Sequence, residues 1–154
     1  MKVKFRKVVE SAIKPPEVGF CTYNIHPLSS YNIEPLERAG IRTGICFDFP
    51  DPRKLIVGSE TIYEQLVIEI IPEESLFLNK GILLPRKTID RSHEGEIIIE
   101  ATNITLPDFL LFKESAKSDL ARSHFFGSTN SVRLGKENPI AKLRINVVQS
   151  IKVS

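Results

Sequence analysis

The residues of this chain best suited to chemistry lie in Thr88–Asn103, TIDRSHEGEIIIEATN, a polar turn that leads through Gly95 into a strand centred on three isoleucines and closed by an asparagine. Asp90 opens the turn. Its carboxylate is a competent general base near neutral pH when it is held in position and kept dry. An aspartate just ahead of a strand can equally be a turn residue that accepts backbone N–H bonds. His93 can act as an acid or stand in the turn as a solvated histidine. Arg86, Lys87 and Arg91 are the only local supply of positive charge, which can bind phosphates or form a solvated edge. Glu100 alternates with Ile99 and Ala101, so its side chain points away from the face that carries Ile97 and Ile99. His26 and His124 sit beside turn residues, and three scattered histidines make no metal site.

The elements that must position these groups are strands. Val3, Phe5 and Lys7 alternate with Lys4, Arg6 and Val8 in a first half-buried strand, which Pro15-Pro16 stops. Phe20–Ile25 and Tyr31–Ile33 are short extended pieces, and Ile41–Phe49 reads as one strand ended by Pro50 and Pro52. Leu55–Val57 and Gln65–Ile71 follow, the second so apolar that a central strand is expected. Ser75–Leu84, Glu96–Thr102, Phe109–Phe112 and Ile140–Val148 continue the pattern. Only Glu114–Arg122 reads as helical, and the turn-rich SHFFGSTNSVRLGKEN after it makes residues 114–138 an inserted excursion between two strands. Ten prolines and eight glycines punctuate short strands, which predicts an all-β sandwich or barrel.

Composition narrows the function classes. With 154 residues, 42% hydrophobic and 26% charged, the chain reads as one globular domain. No apolar run approaches the roughly 20 residues that span a bilayer, and the alternating MKVKFRKVVESAIKPP is not the continuous apolar segment of a signal peptide, so an intracellular protein is expected. A net charge of +2, with basic and acidic residues interleaved, gives no electrostatic footprint for nucleic acid. Cys21 and Cys46 are too few for a disulfide framework and lack zinc spacing, so both are expected to be reduced thiols. Asn103-Ile104-Thr105 has the form of a glycosylation sequon, which without a secretion signal is read as chance.

The order of features resembles the trimeric dUTPases and their superfamily relatives, the dCTP deaminases, over most of the chain. The Ile89-Asp90, Gly95-Glu96 and Asn103 of the central stretch look like the superfamily's central motif. VKFRKVVESAIKPP looks like the opening strand, and YNIEPLERAGIRTGICFDFP is similar to the segment that runs through a proline turn and a Thr-Gly-Ile into a strand ending in proline. Gly19-Phe20-Cys21-Thr22-Tyr23 lies where the family has Gly-Tyr-Asp-Leu-Tyr, so Cys21 replaces a metal-assisting aspartate. Glu74-Ser75-Leu76-Phe77 resembles Arg-Ser-Gly-Leu-Ala, with Ser75 retained and Glu74 standing where an arginine would clamp a triphosphate. Asn138–Leu143 looks like the Gly-Asp-Arg-Ile-Ala-Gln-Leu strand, with Lys142 for the glutamine. The family's C-terminal glycine-rich arm is expected to be missing, since the sequence runs only from Ile145 to Ser154 beyond that strand. Phe126-Gly127-Ser128-Thr129 echoes the arm but lies upstream, which would need a rearranged order.

What the resemblance implies is a dUTPase-like β-clip or jelly-roll-type barrel over residues 1–154, with an insertion at about 114–138 that carries one short helix. It implies a homotrimer, in which Glu100 lines an intersubunit surface or meets water, and, because divergent members of this kind are often virus- or phage-encoded, a viral origin. Asp90 takes the position of the water-activating base and His93 that of the tyrosine that stacks under the deoxyribose. Ser75, His93, Glu100, Asn103 and Arg86 are the candidate contacts to a deoxyuridine nucleotide. Glu100 also falls where the deaminases keep a general base, but their Ser-Ser-Leu-Ala-Arg segment has no counterpart, which argues against deamination. Core positions are kept and charged ones changed. The expected function is therefore a non-hydrolytic binding, regulatory or structural protein that needs no cofactor, with the 114–138 insertion as a surface for a protein partner. The alternative is an active dUTP diphosphatase that uses Asp90 and Mg²⁺, and a third reading is a nucleotide sensor that binds without hydrolysis. No membrane or nucleic-acid partner is expected.

Overall fold

The computed structural model describes residues 2–106 and 130–152. In chain order the elements are β1 (Lys4–Lys7), β2 (Glu17–Gly19), β3 (Thr22–Ile25), β4 (Tyr31–Ile33), β5 (Arg38–Arg42), β6 (Ile45–Asp48), β7 (Arg53–Val57) and β8 (Glu60–Pro72). Helix α1 (Glu74–Lys80) comes next, then β9 (Ile82–Leu83), β10 (Lys87–Ile89), β11 (Ile98–Asn103), β12 (Val132–Leu134) and β13 (Ala141–Lys152). Every pairing is antiparallel. The largest sheet runs β10–β8–β13–β3–β2, and β13 lies along β8 from Ala141↔Pro72 to Lys152↔Thr61. One edge of β8 is thus filled by β13, so β7 and β10 share the other. A three-stranded sheet β5–β11–β9 and the pairs β1–β6 and β12–β4 complete a β-clip, jelly-roll-like arrangement in which no sheet of the described residues closes into a barrel.

These sheets share one core. Ile33, Ile41, Ile68, Ile89, Leu134 and Leu143, each from a different strand, are buried in a single cluster, and each such side chain contributes about 1.5–3 kcal/mol by leaving water. Edge-on contacts of Phe5 with Tyr23 (4.8 Å) and Phe47 (5.3 Å) tie β1 to its neighbours.

Several expectations need correction. The stretch 75–84, read as extended, begins as helix α1. Leu76, Phe77 and Leu78 are consecutive and apolar, which mimics a strand, yet only Leu76 is buried. Glu74 in the first turn and Lys80 in the last complement the helix dipole. Gly81 ends the helix at φ 66°, its N–H bonded to the Phe77 carbonyl at 3.1 Å, where a Cβ would meet Thr105 Cγ2 at 2.5 Å. Ile41–Phe49, read as one strand, is two, because the chain turns at Gly44 (φ 67°). The excursion also contains structure: Val132–Leu134 pairs with β4, with Leu134 buried. The expected strand Phe109–Phe112, the helix Glu114–Arg122 and the arm-like Phe126–Thr129 lie outside the described residues. The ends of that segment are joined, since Asn130 Nδ2 donates to the Leu106 carbonyl at 2.8 Å.

Candidate functional site

Pairing of β10 with β8 buries Ile89 opposite Ile68 and delivers the chain to Asp90. There the carboxylate folds over its own turn. One Asp90 oxygen accepts the Ser92 N–H at 2.8 Å and also the Ser92 hydroxyl, while the Asp90 carbonyl accepts the His93 N–H at 3.1 Å. This is an aspartate turn of the kind that side chains of this length favour. The Ser92 hydroxyl first, and then its backbone N–H, hold the Asp90 carboxyl below its ordinary pKa. His93 Nε2 is buried without a hydrogen-bond partner. Asp90 and His93 are therefore brought into one turn, and Ser92 is the residue between them that sequence reasoning passed over. Its signal was the Asp-x-Ser spacing.

The turn is anchored on the segment around Gly44. Glu96 accepts the Gly44 N–H at 2.7 Å and pairs with Arg42 Nε at 3.0 Å. Thr43 Oγ1, buried, donates to the Ile97 carbonyl at 2.7 Å, and the Ile97 N–H donates to the Ile45 carbonyl at 2.8 Å. Thr43-Gly44-Ile45 and Gly95-Glu96-Ile97 are thus two halves of one hydrogen-bonded clamp.

The other candidate residues lie apart from this turn. Arg86 and Glu100 line one cavity of about 280 Å³, with Ile70, Pro85, Lys87 and Ile98. Both are engaged, Arg86 with Glu69 at 2.7 Å and Glu100 with Arg38 at 3.8 Å. Arg91, within the turn itself, meets Asp51 at 2.9 Å. Such exposed pairs are individually weak. Ser75, exposed in the first turn of α1, lines a different cavity of about 330 Å³. Asn103 has 0% exposure and is fully used inside the protein. Its Nδ2 donates to the carbonyls of Ile33 (2.9 Å) and Asn130 (2.8 Å), and its Oδ1 accepts from Thr105 N–H (3.0 Å) and Oγ1 (2.5 Å). The Asn-Ile-Thr sequon is this bonded pair of a buried asparagine and a half-buried threonine. His26 Nδ1 donates to the Lys136 carbonyl at 3.1 Å, and His124 lies outside the described residues. Cys21 and Cys46 are free thiols. Among the described residues no three His, Cys, Asp or Glu side chains converge to hold a metal ion. No helix of the described residues is long and apolar enough to cross a membrane.

No family model matches the chain, and no curated protein matches it. Solved structures do. A point mutant of the dUTPase from phage phi11 of S. aureus, which coordinates a structural Mg(II) ion, superposes with a TM-score of 0.71 at 15% identity, covering 100% of this chain and 95% of that one. A mutant of the Staphylococcus bacteriophage 80alpha dUTPase with dUpNHpp gives 0.70 at 16% identity over 99% and 86%. The 80alpha dUTPase itself gives 0.68 at 15% identity over 99% and 94%, and belongs to a set of phage dUTPases that control transfer of virulence genes by a proto-oncogenic G protein-like mechanism. The fold is that of the dUTPases. In this dUTPase fold the matching positions at Thr43–Ile45, Gly95–Ile97 and Asn103 hold the architecture, as their hydrogen bonds show. Glu74, at the arginine position of the resemblance, serves the first turn of α1, and Cys21 occupies a left-handed position at φ 51°.

Proposed function

We propose that this chain is a dUTPase-fold protein that does not hydrolyse nucleotides and acts inside the cell, as a homotrimer of viral origin, in a binding, regulatory or structural role. The observation that carries this reading is Asp90. Its carboxylate is occupied by the Ser92 N–H and hydroxyl and its pKa is lowered, both of which weaken it as a proton acceptor. Glu74 in place of an arginine and the pairing of Arg86 and Arg91 with carboxylates point the same way. The regulatory role described for the 80alpha dUTPase supports a regulatory use of this fold. The insertion at about 114–138 within the single domain 1–154 is the proposed surface for a protein partner.

The second reading is an active Mg²⁺-dependent dUTP diphosphatase, favoured by the buried, unpartnered Nε2 of His93 beside Asp90. The deciding experiment is pyrophosphate release from dUTP with Mg²⁺, run beside Asp90→Asn at equal concentration. No release above background from either protein is expected. Turnover by the wild type that Asp90→Asn abolishes overturns the first reading and makes Asp90 the base. Stabilisation of the wild type by deoxyuridine nucleotides, without turnover, assigns a sensor role at His93, Arg86, Glu100 or Ser75.

A further inference from the structure

The strands β7, β8 and β13 form a three-stranded wing in which Leu55, Ile62 and Ile151 stand directly opposite one another. The same face carries a row of Arg53, Glu64 and Gln149, and a row of Leu66 and Val147. Gln149 Nε2 donates to Glu64 Oε1 at 2.6 Å. Val147 and Ile151 are 54% and 55% exposed, and Val57 is also exposed. Leu66 is already buried, and the exposed aliphatic side chains beside it on this short sheet call for cover.

The edge of the wing is open as well. β3 covers β13 only over residues 141–144, and the next bond is the Ile145 N–H to the Cys21 carbonyl at 3.0 Å. Beyond it, no strand of the described residues pairs with that edge. In an antiparallel ladder alternate residues aim both backbone groups to the same side. Ile145 faces β3, so Val147, Gln149 and Ile151 present their N–H and C=O groups to the open edge. The devices that usually protect an edge are a proline, a charge or a bulge. Residues 146–151, NVVQSI, contain none of them and pair with β8 without a break in register.

We propose that a second copy of this chain adds its own β13 to this edge, antiparallel, about a two-fold axis through Gln149. Gln149 then faces the partner's Gln149, and Val147 faces the partner's Ile151. The rows match. Leu55, Ile62 and Ile151 continue into the partner's Val147 and the partner's Leu66, all aliphatic, while Arg53, Glu64 and Gln149 continue into the same polar row reversed. A shift by two residues in either direction sets an aliphatic side chain against Gln149. In a chain with 26% charged residues, residues 147–151 about the axis carry no charge, and Lys152 stands opposite the partner's Asn146, so two copies meet without like charges face to face. The contact is isologous and closes on itself. The product is one six-stranded sheet, whatever assembly the rest of the molecule forms.

The test is the mass of the full chain in solution, followed by sedimentation over a concentration series. Gln149→Pro removes the N–H that each copy donates at the axis and leaves the β8 ladder intact, because that N–H points away from β8. The expected result is that the assembly mass halves and the dissociation constant of the pair rises by about tenfold or more. Gln149→Lys keeps every backbone group, so it decides the matter even where the proline variant folds poorly. Gln149→Lys and Gln149→Glu, each facing its own like charge, are each expected to fall to half mass, and mixing them at low salt to restore the wild-type mass. A wild-type mass equal to that of Gln149→Pro, or a Lys and Glu mixture that stays at half mass, overturns the proposal.

Discussion

Removing the Asn103 amide tests whether that residue belongs to the architecture or to a nucleotide site. In Asn103→Ala, four hydrogen bonds lose their side-chain half. The Ile33 carbonyl, in a residue with 0% exposure, is left without this donor, and the Thr105 N–H loses its acceptor. At a net value of about 1 kcal/mol per bond the loss is about 3–4 kcal/mol. That is a large part of the 5–15 kcal/mol typical of a domain, and corresponds to a fall in Tm of about 6–16 °C. Asn103→Asp keeps the two Thr105 bonds but turns a carboxylate toward the carbonyls of Ile33 and Asn130. Burial and the lost donors raise its folded-state pKa above the unfolded value of about 3.9. A raised carboxyl pKa destabilises the fold at high pH and relieves it as pH falls through the folded value, so the deficit of Asn103→Asp is largest near pH 7 and shrinks toward pH 4. Urea unfolding at both pH values, beside nucleotide titration, reads all of this. Stability within about 1 kcal/mol of wild type for Asn103→Ala, with nucleotide affinity lost instead, refutes the structural assignment.

Other consequences follow from the same geometry. Ser92→Ala removes the larger cause of the lowered Asp90 pKa, so the carboxyl should titrate closer to its ordinary 3.8 in a carbon-13 NMR titration; an unmoved titration shows that the bond contributes nothing. Because the folded pKa is depressed, the Asp90 contribution to stability is present above the unfolded pKa and lost as pH falls through the folded one, and Asp90→Asn should flatten that acid limb in thermal melts. Gly44→Ala puts a Cβ 2.7 Å from Ala12 Cβ at φ 67°, and the left-handed strain plus the overlap should cost about 2–4 kcal/mol in urea unfolding. Leu36 is exposed at φ 64°, so Leu36→Asn, which tolerates that region, should raise stability by up to about 1 kcal/mol, read as a higher Tm.

The strand-rich fold was legible because its signals are local. Alternation and proline breaks located Tyr31–Ile33 as it stands, Gln65–Ile71 as a central strand within β8, and most of β13 as Ile140–Val148, although both strands run longer than their apolar runs. Signals failed where neighbours decided the outcome. Leu76–Leu78 has the apolar density of a strand, but a helix closed by Gly81 exposes two of the three and needs no ladder partner. Gly44 broke Ile41–Phe49 because Ala12 and Leu28 crowd it and Glu96 takes its N–H.

The chemistry divides in the same way. From the sequence alone came the turn at Asp90 and its basic neighbours, which are properties of residue type and order, and, through the resemblance to the dUTPases, the motif positions and Glu74 at the place of an arginine. Only the tertiary structure decided what the motif residues touch. Thr43, Gly44, Glu96 and Ile97 lie 54 or fewer positions apart in bonded pairs, and Asn103 joins Ile33 to Asn130 across the core. A side chain at a motif position reaches for whatever donor the packed chain brings within about 3 Å, and spacing along the sequence does not say which one that is.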